Sequence, residues 1–213
     1  MNRTVIRTLT QTMVRASWLA VALTGMAAAQ SDFSAVVVDN QRPDAGTKIY
    51  ISKDKIRIET GKKDPRNSGA MIMNMGTQSA LVVMDQQHMY MEIPMQMANQ
   101  RQAYNFFRAG DVENACSSWL NAAKNQGGNC HKVGADTVNG RAVIKYEGTN
   151  AKGDSGFFWI DPKIAFPVKW ENKSGGGELR DIQEGSQPSS LFQVPSGYTK
   201  MDMGGMMQGH PPQ

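Results

Sequence analysis

From Phe33 to Glu184 the chain repeatedly alternates apolar and polar residues with a period of two, and short polar or glycine-containing runs interrupt the alternation. That pattern is the signature of half-buried antiparallel strands, because successive strand side chains point to opposite faces of a sheet. "FSAVVVD" opens the series; "TKIYIS" and "KIRIET" flank "KD"; "AMIMNM", "SALVVM" and "HMYMEI" follow as a meander. Beyond residue 130 the alternation returns in "ADTV", "RAVIKYEGT", "GFFWIDP", "FPVKWEN" and "GELRDIQE", and "SLFQVPSGY" reads as a last short strand or extended edge. "NG" between Val138 and Arg141 is a strong two-residue hairpin signal, and "SGGG" reads as the turn before "GELRDIQE".

The series is interrupted once, after Pro94. "DVENACSSWLNAAKNQGG" carries Val112, Ala115, Trp119, Leu120 and Ala123 at helical spacing, with Asp111 placed to cap its start and a glycine pair to stop it. About ten strands thus enclose a helical insertion at about residues 95–125. An antiparallel sheet of that size must close, pack on a second layer or be covered. The inserted helices are the available cover, so the expected class is mainly β (α+β): a curved antiparallel sheet with helices on its concave side.

The first 29 residues stand apart. Arg3, Arg7 and Arg15 precede the short apolar run "WLAVALTGM", and Ala27, Ala28 and Ala29 offer small residues for cleavage, the three parts of a secretory signal peptide. Cleavage after Ala29 and a periplasmic or extracellular location are the expectation. The apolar run is shorter than the roughly 20 residues a membrane span needs. Removing three arginines and no acid from 23 bases and 19 acids leaves 20 against 19, so the apparent basicity belongs to the leader. No basic patch with interleaved aromatics argues for nucleic acid. Residues 30–200 fit one domain, and 201–213, rich in Met, Gly and Pro, read as a disordered tail.

Cys116 and Cys130 are the only cysteines. An even count in an exported chain predicts a disulfide, tying the helix to the strand that follows it. Such a loop contributes about 3 kcal/mol in the chain-entropy account.

Methionine is the residue that bears on function. Met71, Met73 and Met75 share one face of "AMIMNM", and Met89, Met91 and Ile93 share one face of "HMYMEI"; His88, Tyr90 and Glu92 are expected on a wet opposite face. These methionines either fill a core or line an adaptable apolar pocket, the use to which flexible, polarizable Met is suited. A strand-borne metal site is the third reading, although i and i+2 stand about 7 Å apart on one strand. Trp159 and Trp170 either pack in the core or line the same cavity. In the tail, Met201, Met203, Met206, Met207 and His210 combine four thioethers and an imidazole, the soft donors that suit Cu(I). Uptake of Cu(I) by the full chain but not by one ending at Lys200 is the test of that trap. No G-x-S-x-G elbow, phosphate loop or H-E-x-x-H spacing is present, so neither catalysis nor a cofactor is expected.

Several runs also resemble a known family: "VNGRAVIKYEG", "WIDPKIAFPVKW" and "LFQVPSGYTKM", with "GKKDPRNSGAMIMNM" and "LVVMDQQHMYMEIP" in support. They are similar to an exported bacterial domain family of unknown function akin to the LolA and LolB group of periplasmic lipoprotein-handling proteins. The resemblance implies a LolA-like open half-barrel with a helical lid over a hydrophobic cavity. It implies as partner an apolar small molecule, a lipid or an acylated protein. It transfers no functional residue. A copper-binding protein and an envelope interaction or sensory module are the alternative functions; oligomeric state is not legible.

Overall fold

The computed structural model describes residues 31–60, 68–94, 112, 115–121 and 127–201. Twelve strands form one sheet: β1 (Phe33–Asp39), β2 (Arg42–Ser52), β3 (Lys55–Thr60), β4 (Gly69–Asn74), β5 (Ser79–Met84), β6 (Met89–Pro94), β7 (Asn129–Val138), β8 (Arg141–Thr149), β9 (Ser155–Asp161), β10 (Phe166–Asn172), β11 (Gly175–Glu184) and β12 (Thr199–Lys200). Their spatial order is β12-β6-β5-β4-β3-β2-β1-β11-β10-β9-β8-β7. Every pairing is antiparallel except that of β12 with β6. The sheet does not close: β7 and β12 are its two edges. Among the described residues, the helix α1 (Ala115–Asn121) lies in the insertion between β6 and β7, and a 3-10 turn spans Ser189–Phe192. The open, curved antiparallel sheet that the resemblance implies is therefore the architecture found.

Register carries two apolar rows across six strands. Phe33, Ile51, Ile56, Met73, Ala80 and Ile93 stand side by side, and so do Ala35, Ile49, Ile58, Met71, Val82 and Met91. Both rows belong to one sheet face, and their β1–β3 members, with Met73 and Ala80, join Phe166, Val168 and Leu179 in the main core cluster. Phe33 meets Phe166 edge to face, centroids 5.2 Å apart, a favoured aromatic geometry.

The opposite face of β4–β6 is not wet. Ile72, Val83, Leu81 and Tyr90 form a second cluster with Leu191, Phe192 and Tyr198. The segment after β11 crosses that face as a strap: Arg57 donates to the Leu191 carbonyl (3.1 Å) and the Tyr198 hydroxyl donates to Asp85 (3.0 Å). "SLFQVPSGY" is accordingly a 3-10 turn and loop rather than a strand. Pro188 sits at the N-cap of that turn, and the edge strand forms only at Thr199–Lys200, where the Thr199 and Met201 amides donate to the His88 and Tyr90 carbonyls. The Asn139–Gly140 hairpin behaves as its sequence requires, both residues having positive φ (49° and 76°), the backbone of a type I′ turn.

At the β7–β8 tip an ion network ties the strands together. Arg141 pairs with the buried carboxylate of Asp161 and reaches Glu184 at 2.7 Å, and Lys163 meets Glu184 at 2.9 Å. Lys163 and then Arg141 hold the Glu184 carboxyl below its ordinary value.

Candidate ligand cavity

The site lies where α1 meets the ends of β8, β9 and β10. On these strands Tyr146, Phe158, Trp170 and Gly177 form one cross-strand row, and Gly148, Gly156, Asn172 and Gly175 form the next. Gly177 and Leu179 pair with Asp39 and Val37 on β1, and Val37 shares its face with Ala35 and Phe33. Of that row, Trp170 packs against both the main core and the cluster that holds α1, whereas Tyr146 and Phe158 belong to the latter. The helix packs on Tyr146, Phe158 and Ile160, a cluster distinct from the methionine-bearing core, which holds Trp159.

Contacts among the described residues hold α1 and Val112 ahead of it in place. Cys116 and Cys130 form a disulfide with a Cα–Cα separation of 5.3 Å, joining the helix to β7. The Tyr146 hydroxyl donates to the Val112 carbonyl at 2.5 Å. Trp119 stacks with Phe158 (6.4 Å, interplanar angle 10°), and Phe158 with Tyr146 (5.2 Å, 10°). Glycine is what lets the indole come down. A Cβ at position 148 would lie 2.6 Å from the Trp119 ring, and one at 177 would lie 2.7 Å from the Trp170 ring, both inside the roughly 3.5–4.0 Å of a normal carbon contact.

Between the helix and the strand ends lies a cavity of about 340 Å³ walled by Trp119, Trp170, Phe157 and Phe158, with Gly148 and Gly156 in its floor. Its mouth is polar: Asn150, Asp154, Glu171, Asn172, Lys173 and Ser174. Asn150 Oδ1 accepts from the Lys152 and Asp154 amides (2.9 and 3.0 Å), and Lys173 pairs with Asp154. That ammonium, then the Asn150 amide, hold the Asp154 carboxyl below its ordinary range. Small backbone-only floor residues, aromatic walls and a polar mouth are the composition of a small-molecule pocket.

The residues singled out by sequence do not all converge. Trp170 lines the cavity. Trp159 does not: it pairs with Lys169 while Trp170 pairs with Phe158, so the two indoles leave opposite faces. Trp159 is buried, donates to Asp136 at 2.7 Å, and lies under the Lys145 and Lys169 ammonium groups (4.9 and 4.4 Å from the ring). The hydrogen bond from Trp159 is the main reason the Asp136 carboxyl is held low. Met73 is in the core, while Met71, Met75 and Ile93 pack half-buried against it; Met89 and Met91 are half-buried on the same face. None of these six lines the cavity beside α1. Of the tail donors only Met201 is described; Met203, Met206, Met207 and His210, together with the helical spacing expected for 95–111, fall outside the described residues.

Sequence reasoning alone misses Trp119, Gly148, Gly156 and Asn172 as site residues. A signal for Trp119 exists: it shares a helical face with Cys116, which the disulfide presses onto the sheet. For the glycines the signal is weaker, a missing side chain within an otherwise apolar strand.

No family model matches the chain, and no curated protein matches it. Among solved structures it is similar to an uncharacterised conserved protein from Thermus thermophilus, with a TM-score of 0.50, 10% identity, and 81% of this chain and 90% of that one covered. It is also similar to the Pseudomonas aeruginosa MucA/MucB complex (TM-score 0.44, 14% identity, 80% and 58% covered). A third is a LolA superfamily protein from Nitrosomonas europaea (TM-score 0.33, 11% identity, 77% and 90% covered). At these identities the likeness is one of fold alone.

Proposed function

We propose that this chain is an exported, non-enzymatic protein that binds an acyl chain, a lipid or a comparable apolar ligand on the helix-bearing face of its half-barrel. The observation that carries the reading is the aromatic-walled cavity, kept open by Gly148 and Gly156 beneath a helix pinned by one disulfide. Its size lies at the small end of ordinary ligand pockets, about 300–1,000 Å³.

Magnitude says how the ligand has to lie. Each buried methylene contributes about 0.8 kcal/mol, and association costs at least about 4 kcal/mol in lost freedom. About a dozen methylenes, each of roughly the 30 Å³ of a water molecule, fill the cavity of about 340 Å³ and contribute about 10 kcal/mol against that cost. Micromolar affinity, about −8 kcal/mol, needs about 15, so a few methylenes lie beyond the cavity, and Trp170, which lines the cavity and packs against the methionine-bearing core, marks the direction toward Met71 and Met75. Half-buried methionines suit such a path because their side chains re-pack around different chains.

The test is titration with a fluorescent fatty acid, following quenching of Trp119 and Trp170. Saturable quenching, with affinity rising from eight-carbon to sixteen-carbon chains, is expected. Absence of uptake at any chain length overturns the reading.

A further inference from the structure

The mouth of the cavity has a chemistry of its own. Two further hollows adjoin it, one of about 430 Å³ and one of about 260 Å³. Asn172 lines all three, and Trp170 and Ser174 line both the cavity and the smaller hollow. Together they form a groove around the β10–β11 hairpin, continuous with the apolar cavity. The β11 glycines leave the floor bare at Gly175 and Gly176, so a ring-shaped group can approach the backbone.

Charge decides what the groove can take. Each carboxylate along it already has a cation: Asp154 has Lys173, Glu171 has Lys169 at 3.1 Å, and Asp39 has Arg42 at 3.5 Å. Of the residues lining the three hollows, Asp39, Asp154 and Glu171 are acidic and only Lys173 is basic. A phosphate or carboxylate therefore meets three carboxylates and cations that are already committed to them. A cationic head meets carboxylates that are already neutralised. What remains open is neutral hydrogen-bonding capacity. Asn172 Oδ1 accepts from the Ser174 amide (2.7 Å), which leaves its Nδ2 hydrogens to donate. Gln41 Nε2 donates to the Ser174 carbonyl (2.8 Å), which leaves its Oε1 to accept. An amide donor, an amide acceptor and the Ser174 hydroxyl beside the Trp170 ring match a molecule with hydroxyls on its edge and C–H bonds on its face.

We infer that the groove reads a neutral, hydroxyl-rich headgroup, a sugar ring, on the ligand whose apolar part enters the cavity. The inference rests on the apolar-ligand reading above and adds the headgroup to it. Asn172 and Gln41 are the residues that discriminate; Trp170 is shared between chain and ring.

The experiment holds the chain constant and varies the head. Dodecyl maltoside, dodecyl phosphate and dodecyltrimethylammonium, each below its micellar concentration, are titrated into the full protein and followed by tryptophan fluorescence and calorimetry. The maltoside is expected to bind about tenfold more tightly than either charged probe, the effect of one or two net hydrogen bonds. The Q41A/N172A double variant, altered only at exposed side chains, is expected to erase that preference while leaving the charged probes unchanged, with its unfolding curve as the check on folding. Equal affinity for all three probes, or a preference for a charged one, overturns the inference and leaves the apolar-ligand reading standing. A double variant that keeps the preference overturns the assignment to this groove. Binding of none of the three overturns the headgroup inference and the apolar-ligand reading together.

Discussion

Gly148→Ala is the smallest change that interrogates the joint between helix and sheet. Inside a strand this substitution ordinarily stabilises by about 0.5–1 kcal/mol, since glycine surrenders more backbone freedom on folding. Here the sign reverses. The new Cβ would lie 2.6, 2.7 and 2.9 Å from three atoms of the Trp119 ring. Restoring a normal carbon contact of about 3.6 Å requires the indole to retreat by about 1 Å. The ring is sandwiched on Phe158 and its helix is fixed by Cys116, so retreat disrupts both. Overpacking of this kind costs about 1–3 kcal/mol, and a lost aromatic stack about 0.5–1.5 kcal/mol. Net destabilisation of about 2 kcal/mol is expected in urea unfolding, with a changed near-ultraviolet spectrum. Trimming the ring relieves the clash, so Trp119→Leu in the same background recovers part of the loss. A Gly148→Ala protein as stable as the parent, with unaltered tryptophan signals, would refute the placement of α1 on this face.

Three further outcomes follow from the same geometry. Reducing the disulfide, or replacing Cys116 and Cys130 by Ser, lowers stability by about 3 kcal/mol and exposes Trp119 to aqueous quenchers; unchanged quenching contradicts the helix anchoring. Arg141→Met strands the buried Asp161 carboxylate and costs about 3 kcal/mol, roughly 6–12 °C in Tm for a chain of this size; a drop below about 1 kcal/mol removes the network's structural role. Glu184, whose folded pKa lies below its ordinary 4.5, lends stability that is present above that value and is lost as pH falls through the lowered one. Lys163→Met therefore flattens the acid limb of stability against pH, and an unaltered limb counts against the pairing.

What can be read in advance depends on how directly a residue's chain neighbours determine its structure. β1, β5 and β10 coincide with the runs "FSAVVVD", "SALVVM" and "FPVKWEN", because each is a short run of strand-forming residues bounded by turn residues. β2 and β7 extend further than their alternating cores. Arg42–Asp44 and most of β7 are exposed on both faces, so no burial pattern marks them. "SGGG" reads as a turn from its composition, yet the turn is Lys173–Ser174 and the glycines are in β11, where Gly177 lies beneath Trp170. The methionine faces are legible because period-two alternation needs no tertiary information. Tyr90 reads as water-facing because the Phe192 and Tyr198 strap that covers it is remote in the chain, and local pattern carries no trace of it. The same is true of the cavity: Trp170 is visible as an apolar strand residue, whereas Asn172 and Gln41 acquire a role only when the β10–β11 hairpin and the β1–β2 turn meet.

The central claim, that this face holds an apolar ligand, is tested most directly by purifying the protein from its native envelope without detergent and extracting it with organic solvent for mass spectrometry. A near-stoichiometric lipid or acylated molecule, released by the extraction and diminished in Trp170→Ala protein, is the result the account predicts. A protein that carries no such molecule, and takes up no fluorescent fatty acid when offered one, contradicts it.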